Sequence, residues 1–120
     1  MISQLKERLG TQLTFQQYAS VASYISSFSY STTVSIASAS LLLEINIELM
    51  EDVLNTLTDI GTLQRDHVIR CPECLFLIET IKAVEITNDF FKKIYCHCCE
   101  NDIEADASDV DVFYSLTKNN

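Results

Sequence analysis

The sequence predicts an α+β protein, with a helix-rich N-terminal part followed by a small β part organised around four cysteines. Three observations carry that reading. Glycine (2) and proline (1) are scarce among 120 residues, which argues against a many-turned β-sandwich. Ile47, Met50, Val53, Leu54, Leu57 and Ile60 repeat with a 3.6-residue period over nearly four turns, the pattern of a helix with one buried stripe. Cys71-Pro72-Glu73-Cys74 is followed, after 21 residues, by Cys96-His97-Cys98-Cys99, two C-x-x-C pairs at a spacing that suits a metal-bound β element. The expected organisation is residues 1–70 for the helical part and 71–120 for the β part with its closing strand. A hydrophobic content of 48% is enough for a packed core and argues against disorder.

The elements follow in order. Ile2, Leu5 and Leu9 at helical spacing, with Gly10 behind them, predict a short first helix. Thr14 and Gln17 form a capping box, with Leu13 and Tyr18 placed for a hydrophobic staple. They open a second helix over about 14–28, whose buried face is read as Phe15, Tyr18, Ala22, Ile25 and Phe28. The Ser/Thr-rich stretch from Ser26 to Ser40 keeps an apolar rhythm at Val34, Ile36, Ala37, Leu41 and Leu42. It reads as a loop near 29–33 and then a third helix, with a strand as the alternative because Val, Ile, Thr and Ser are poor helix formers. Asn46 is a suitable N-cap for the periodic fourth helix, Glu48 and Glu51 suit its positive end, and Gly61 suits its stop.

Leu63 to Cys71 partly alternates and predicts a strand. Between the cysteine pairs, LFLIETIKAVEITNDFF fits strand or helix, and Phe90 to Tyr95 reads as a strand. NDIEADASD reads as an acidic loop, Val110 to Leu116 as a closing strand, and the final KNN as a frayed end.

The stretch SIASASLLLEINIELMEDVLNTLTDIGTLQRDHVIRC resembles a winged helix-turn-helix. A short helix (36–43) leads through a tight turn (44–46) into a second helix (47–60), and Gly61 and Leu63 start a wing. That resemblance implies a second helix lying in the major groove. Its polar positions here are Glu48, Glu51, Asp52, Asn55, Thr56, Thr58 and Asp59, with no Lys or Arg. Four carboxylates facing phosphate oppose binding, so a solvated or protein-binding face is favoured.

The five cysteines are crowded between Cys71 and Cys99. In a reducing compartment, such clustering reads as metal ligation. Cys71, Cys74, Cys96 and Cys99 are the expected ligands of one structural Zn²⁺; His97 or Cys98 could substitute for Cys96 or Cys99, but C-x-x-C geometry favours 96 and 99 and leaves Cys98 as a spare thiol. Iron on the same four sulfurs, an unligated cysteine core, and thioredoxin-type chemistry rank below zinc. The first knuckle resembles those of zinc ribbons and rubredoxin-like sites. The glycine usual after each second cysteine is replaced here by Leu75 and Glu100. Four cysteines close the metal's shell, so Glu73 and Glu100 read as solvated neighbours rather than catalytic acids, and no enzyme activity is expected. His67 reads as an ordinary wing residue.

The net charge of −9 repels nucleic acid and acidic membrane surfaces. The start MISQLKERLG is not a secretory signal, and no apolar run approaches the ~20 residues of a membrane span. A soluble, cytoplasmic protein is therefore expected.

A winged helix joined to a zinc ribbon is similar in layout to basal transcription-factor subunits and to accessory proteins of bacterial conflict systems. The resemblance implies a non-enzymatic adaptor or accessory subunit acting by protein–protein contact, with a partner that the charge allows to be basic. Tyr24, Phe28, Tyr30 and Phe113 are its candidate docking aromatics. A DNA-binding regulator using Arg65, Arg70, Lys92 and Lys93 is the first alternative. A thiol or zinc redox sensor using Cys98 and the knuckle thiols is the second.

Overall fold

The computed structural model describes residues 1–118, so Asn119 and Asn120, within the expected frayed KNN, lie outside the described residues. Four helices precede five strands: α1 (Ile2–Leu9), α2 (Phe15–Ser26), α3 (Ile36–Leu43), α4 (Ile47–Asp59), β1 (Leu63–Arg70), β2 (Leu77–Ile81), β3 (Phe91–Cys96), β4 (Asn101–Asp106) and β5 (Val110–Leu116). The α+β class read from the sequence is the class observed.

Two compact units divide the chain. Among the described residues, one comprises Met1–Arg65 with residues 114–118; the other comprises Asp66–Phe113. The sequence reading drew one boundary at residue 70. The observed division makes the cysteine-bearing unit an insertion, entered through β1 and left through β5. Each of those strands contributes residues to both units, which a single cut cannot express.

In the first unit, local sequence sets the helix ends. The Thr14 hydroxyl accepts from the Gln17 N–H at 3.1 Å, and the Gln17 side chain accepts from the Thr14 N–H at 2.8 Å, the capping box expected from sequence. A second box, not anticipated, pairs Ser35 with Ser38 and starts α3. It turns the serine-rich stretch into a helix start rather than a strand. Asn46 Oδ1 accepts from the Leu49 N–H at 2.9 Å and starts α4. Gly61, at φ 89°, ends α4, a conformation that glycine alone adopts without strain. Leu5, Val21, Met50, Val53, Leu54 and Leu57 are fully buried and form the core. Asn55 Oδ1 accepts hydrogen bonds from Arg65 and from Tyr114 Oη, and the backbones of Val34 and Tyr114 exchange two hydrogen bonds.

Two expectations for this unit are corrected. Phe15 is 78% exposed rather than part of the buried face of α2, where Val21 joins Tyr18 and Ile25. At the first turn of the helix, Phe15 lies beside Lys6, whose ammonium sits 5.6 Å from its ring centroid. Ile47 is likewise exposed at the first turn of α4, before the helix reaches the core.

In the second unit, β1 pairs with β2 antiparallel, with a register shift between Ile69 and Arg70. β3 pairs with β4 from Phe91↔Asp106 to Cys96↔Asn101. The strand order is β2-β1-β5 in one sheet and β3-β4 in the other. The segment read as an acidic loop is therefore a strand over Asn101–Asp106. Its acidic residues alternate with Ile103 and Ala105, both buried, so one face packs while the carboxylates face water. The ambiguous stretch between the cysteine pairs forms β2 and then a short 3₁₀ turn over Ala83–Glu85. Among the described residues, no helix is long and apolar enough to cross a membrane.

Candidate metal centre

Each C-x-x-C pair sits at the tip of a hairpin. β1 runs into Cys71, and β2 returns from the first knuckle. β3 ends on Cys96, and β4 returns from the second. Cys71 N–H donates to the Phe76 carbonyl at 2.8 Å, and Leu75 N–H donates to the Cys71 carbonyl at 2.9 Å. These bonds close the first knuckle and aim both thiols inward. In the second knuckle, Asn101 Nδ2 donates to the Cys99 carbonyl at 3.1 Å. The residue after the second cysteine takes a left-handed backbone in both knuckles, Leu75 at φ 65° and Glu100 at φ 56°. These are the two positions where the usual glycine is missing. Each non-glycine residue there costs about 1–2 kcal/mol of local strain.

The four sulfurs of Cys71, Cys74, Cys96 and Cys99 all lie within 4.8 Å of one another. Cys71 and Cys99 are 3.8 Å apart, and Cys74 and Cys96 are 3.5 Å apart. A disulfide would require about 2.05 Å. Sulfurs at the corners of a tetrahedron around a zinc ion, with bonds of about 2.3 Å, would be separated by about 3.8 Å. The spacing, the all-thiol donor set and the two-plus-two origin from facing hairpins all fit a single tetrahedral metal ion.

Electrostatics point the same way. At Cys96, a backbone hydrogen bond from Cys99 is the largest influence; with others from Cys74 and Cys98 it outweighs burial and lowers the thiol to about 7. At Cys74, the backbone hydrogen bond from Phe76 also pulls downward. Burial and the sulfurs of Cys96, Cys71 and Cys98 outweigh it, and the thiol is pushed up to about 12. Burial, then the sulfurs of Cys96 and Cys71, raise Cys99. Like charges this close oppose one another's ionisation, and a divalent cation among them removes the opposition.

The sulfurs are also part of the core. Cys71 and Cys96 are fully buried in a cluster with Ile69, Ile81, Ile103 and Ala105, and Cys74 and Cys99 pack against it. Apart from the two cysteines, that core is three isoleucines and an alanine. Cys98 is exposed and outside the four-sulfur cluster. His97 is exposed too, stacked edge-on against Tyr95 with 4.8 Å between centroids. Glu73 and Glu100 face solvent.

No family model matches the chain, and no curated protein or solved structure matches it.

The basic residues that a nucleic-acid reading would use are engaged elsewhere. Arg70 pairs with Asp111 and donates to the Ser108 carbonyl at 3.2 Å. Lys92 pairs with Glu79 at 2.7 Å and Lys93 with Glu104 at 3.8 Å. Arg65 donates to Asn55 and lies over the Tyr114 ring. Of the candidate docking aromatics, Tyr30 is exposed, Tyr24 and Phe28 are half-buried against each other at 4.9 Å, and Phe113 is half-buried. Sequence reasoning passed over Leu75, Phe76 and Leu77. All three are exposed in the first knuckle, and an apolar triplet directly after a cysteine pair was the available signal.

Proposed function

We propose that the chain is a non-enzymatic adaptor or accessory subunit. In this reading, the four cysteines hold one structural Zn²⁺ and the zinc-bound unit presents a rigid surface to a protein partner. The observation that carries it is the closed shell. Four thiolates in tetrahedral spacing leave a zinc ion no open position for water or substrate, which is the arrangement of structural rather than catalytic sites. The bound ion would supply cross-linking of the two hairpins, each of which contributes two of its four ligands.

We further propose that the first unit is a winged helix whose wing strands are β1 and β5, with the zinc unit inserted between them. Three features support this: the order α2, Val34, α3, α4, β1, β5; the bridge of Val34 to Tyr114 on β5; and the pairing of β5 beside β1. The exposed carboxylates of α4 and the engagement of Arg65, Arg70, Lys92 and Lys93 favour a protein partner over DNA.

Native mass spectrometry of the gently purified chain tests the reading. One zinc per chain, retained with a protein partner, is the expected result. A metal-free chain that stays folded would overturn the zinc assignment. A salt-dependent shift of duplex DNA would overturn the choice of partner.

A further inference from the structure

Leu75 combines two costs that folding alone does not explain. Its backbone is left-handed at φ 65°, a conformation that disfavours a branched side chain and that glycine adopts freely. Its side chain gains little in return, being 65% exposed. Phe76 and Leu77 follow at 50% and 43% exposed, so three consecutive large apolar residues face solvent directly after a metal-ligand position. The left-handed turn belongs to the knuckle, since Glu100 repeats it in the second; what the turn does not call for is a large apolar side chain where glycine would be unstrained. The knuckle hydrogen bonds, from Cys71 N–H to the Phe76 carbonyl and from Leu75 N–H to the Cys71 carbonyl, use backbone atoms only. The side chains of the triplet are therefore free for a task that the knuckle itself does not set.

Charge identifies the occupant. Residues 66–113 carry eleven Asp and Glu against four Lys and Arg. Arg70, Lys92 and Lys93 are each paired with a carboxylate. Glu73 and Glu100, both exposed, immediately follow or precede metal-ligand positions. Four thiolates with one divalent ion would add two further negative charges. This field repels a second copy of the chain, nucleic acid and acidic membrane surfaces, and attracts a cationic polypeptide.

We propose that Leu75, Phe76 and Leu77 form the docking surface of the zinc-bound unit, and that its occupant is a basic protein segment. That segment inserts one or two large apolar residues against the triplet and sets flanking Lys or Arg against Glu73, Glu100 and the charged knuckle. The inference rests on the zinc reading above and adds the surface and the partner's chemistry.

A random peptide library displayed on phage, selected against the full zinc-loaded chain, is the test. Enriched peptides are synthesised and titrated against wild type, Leu75→Gly and Phe76→Ser, with zinc content measured on every sample. Leu75→Gly is the informative variant, because it relieves the left-handed strain and should melt no lower than wild type while removing the docking side chain. The expected result is enrichment of Lys/Arg-flanked apolar peptides. Their affinity should fall at least tenfold in Leu75→Gly and Phe76→Ser and weaken with added salt. With one zinc per chain, any of three results overturns the inference: no enrichment, enrichment of acidic peptides, or equal binding by Leu75→Gly. Concentration-dependent dimerisation that Leu75→Gly abolishes would assign the surface to a second copy and likewise overturn it. Absence of zinc from a folded wild-type chain would instead defeat the reading beneath it.

Discussion

The two units reach a packed interior by different means. Among the described residues the first has fifteen buried hydrophobic side chains, spread over α1, α2, α3, α4 and the segments around them, with helix starts closed by side-chain caps. The second has a core of only six buried residues, two of them cysteines. Burial of a large apolar side chain contributes about 1.5–3 kcal/mol, so the first unit can be held by apolar contact, whereas the second has few such residues. The difference bears on the cysteines. In the reading proposed above, a metal ion bound by the four thiolates would take the place of the missing core, and metal binding would become folding free energy.

The comparison can be broken most directly at the sulfurs. Cys71→Ser, or chelation of the zinc-loaded wild type, should remove metal-linked folding free energy on the order of 10 kcal/mol from the second unit alone. Amide hydrogen exchange should then show protection lost across β2, β3 and β4 while α1, α2 and α4 keep theirs. Uniform protection in the zinc-free protein would erase the distinction between the units.

The converse substitution is Leu54→Ala, in the fully buried core of the first unit. It should cost about 2–5 kcal/mol, read as a lower denaturant midpoint for the helices. Zinc stoichiometry should stay at one; a drop would mean that the units do not stand on separate supports. A smaller effect is expected at the start of α4. Asn46→Ala removes the acceptor for the Leu49 N–H and should cost about 1 kcal/mol, measured by the same denaturation.

The smallest effect concerns Asp106, the last residue of β4. Hydrogen bonds from the Ser108 side chain and backbone hold its carboxyl below the usual carboxylate range. The stability it contributes is therefore present above the unfolded carboxylate value, near pH 4, and is lost as pH falls through the lower folded value. Asp106→Asn should flatten the acid limb of the second unit's stability curve slightly and leave the helical unit's unchanged. An acid limb identical to wild type would assign the loss to other carboxylates.

How much could be read in advance follows the range of the interactions. The capping box at Thr14, the Asn46 cap, the Gly61 stop and the periodic stripe of α4 depend on residues three or four apart, and each was legible. The four thiols were legible as a candidate metal site because C-x-x-C pairs have a chemistry that few other roles share. β4 was not. Its carboxylates outnumber its buried residues, and only pairing with β3 shows that Ile103 and Ala105 share an inward face. Phe15 and Ile47 were misplaced because helical periodicity names a face and is blind to where along the helix the core begins.

The sequence by itself determined the α+β class, the start of α2, the start and stop of α4 and the identity of the four clustered thiols, since these depend on local hydrogen bonding and on residue chemistry. Only the tertiary structure decided that the cysteine-bearing unit is an insertion carried between β1 and β5, that sulfurs from pairs 22 to 28 residues apart converge within 4.8 Å, and that Leu75 is strained and exposed. Those properties arise from contacts between residues distant in the chain, and no local pattern records them.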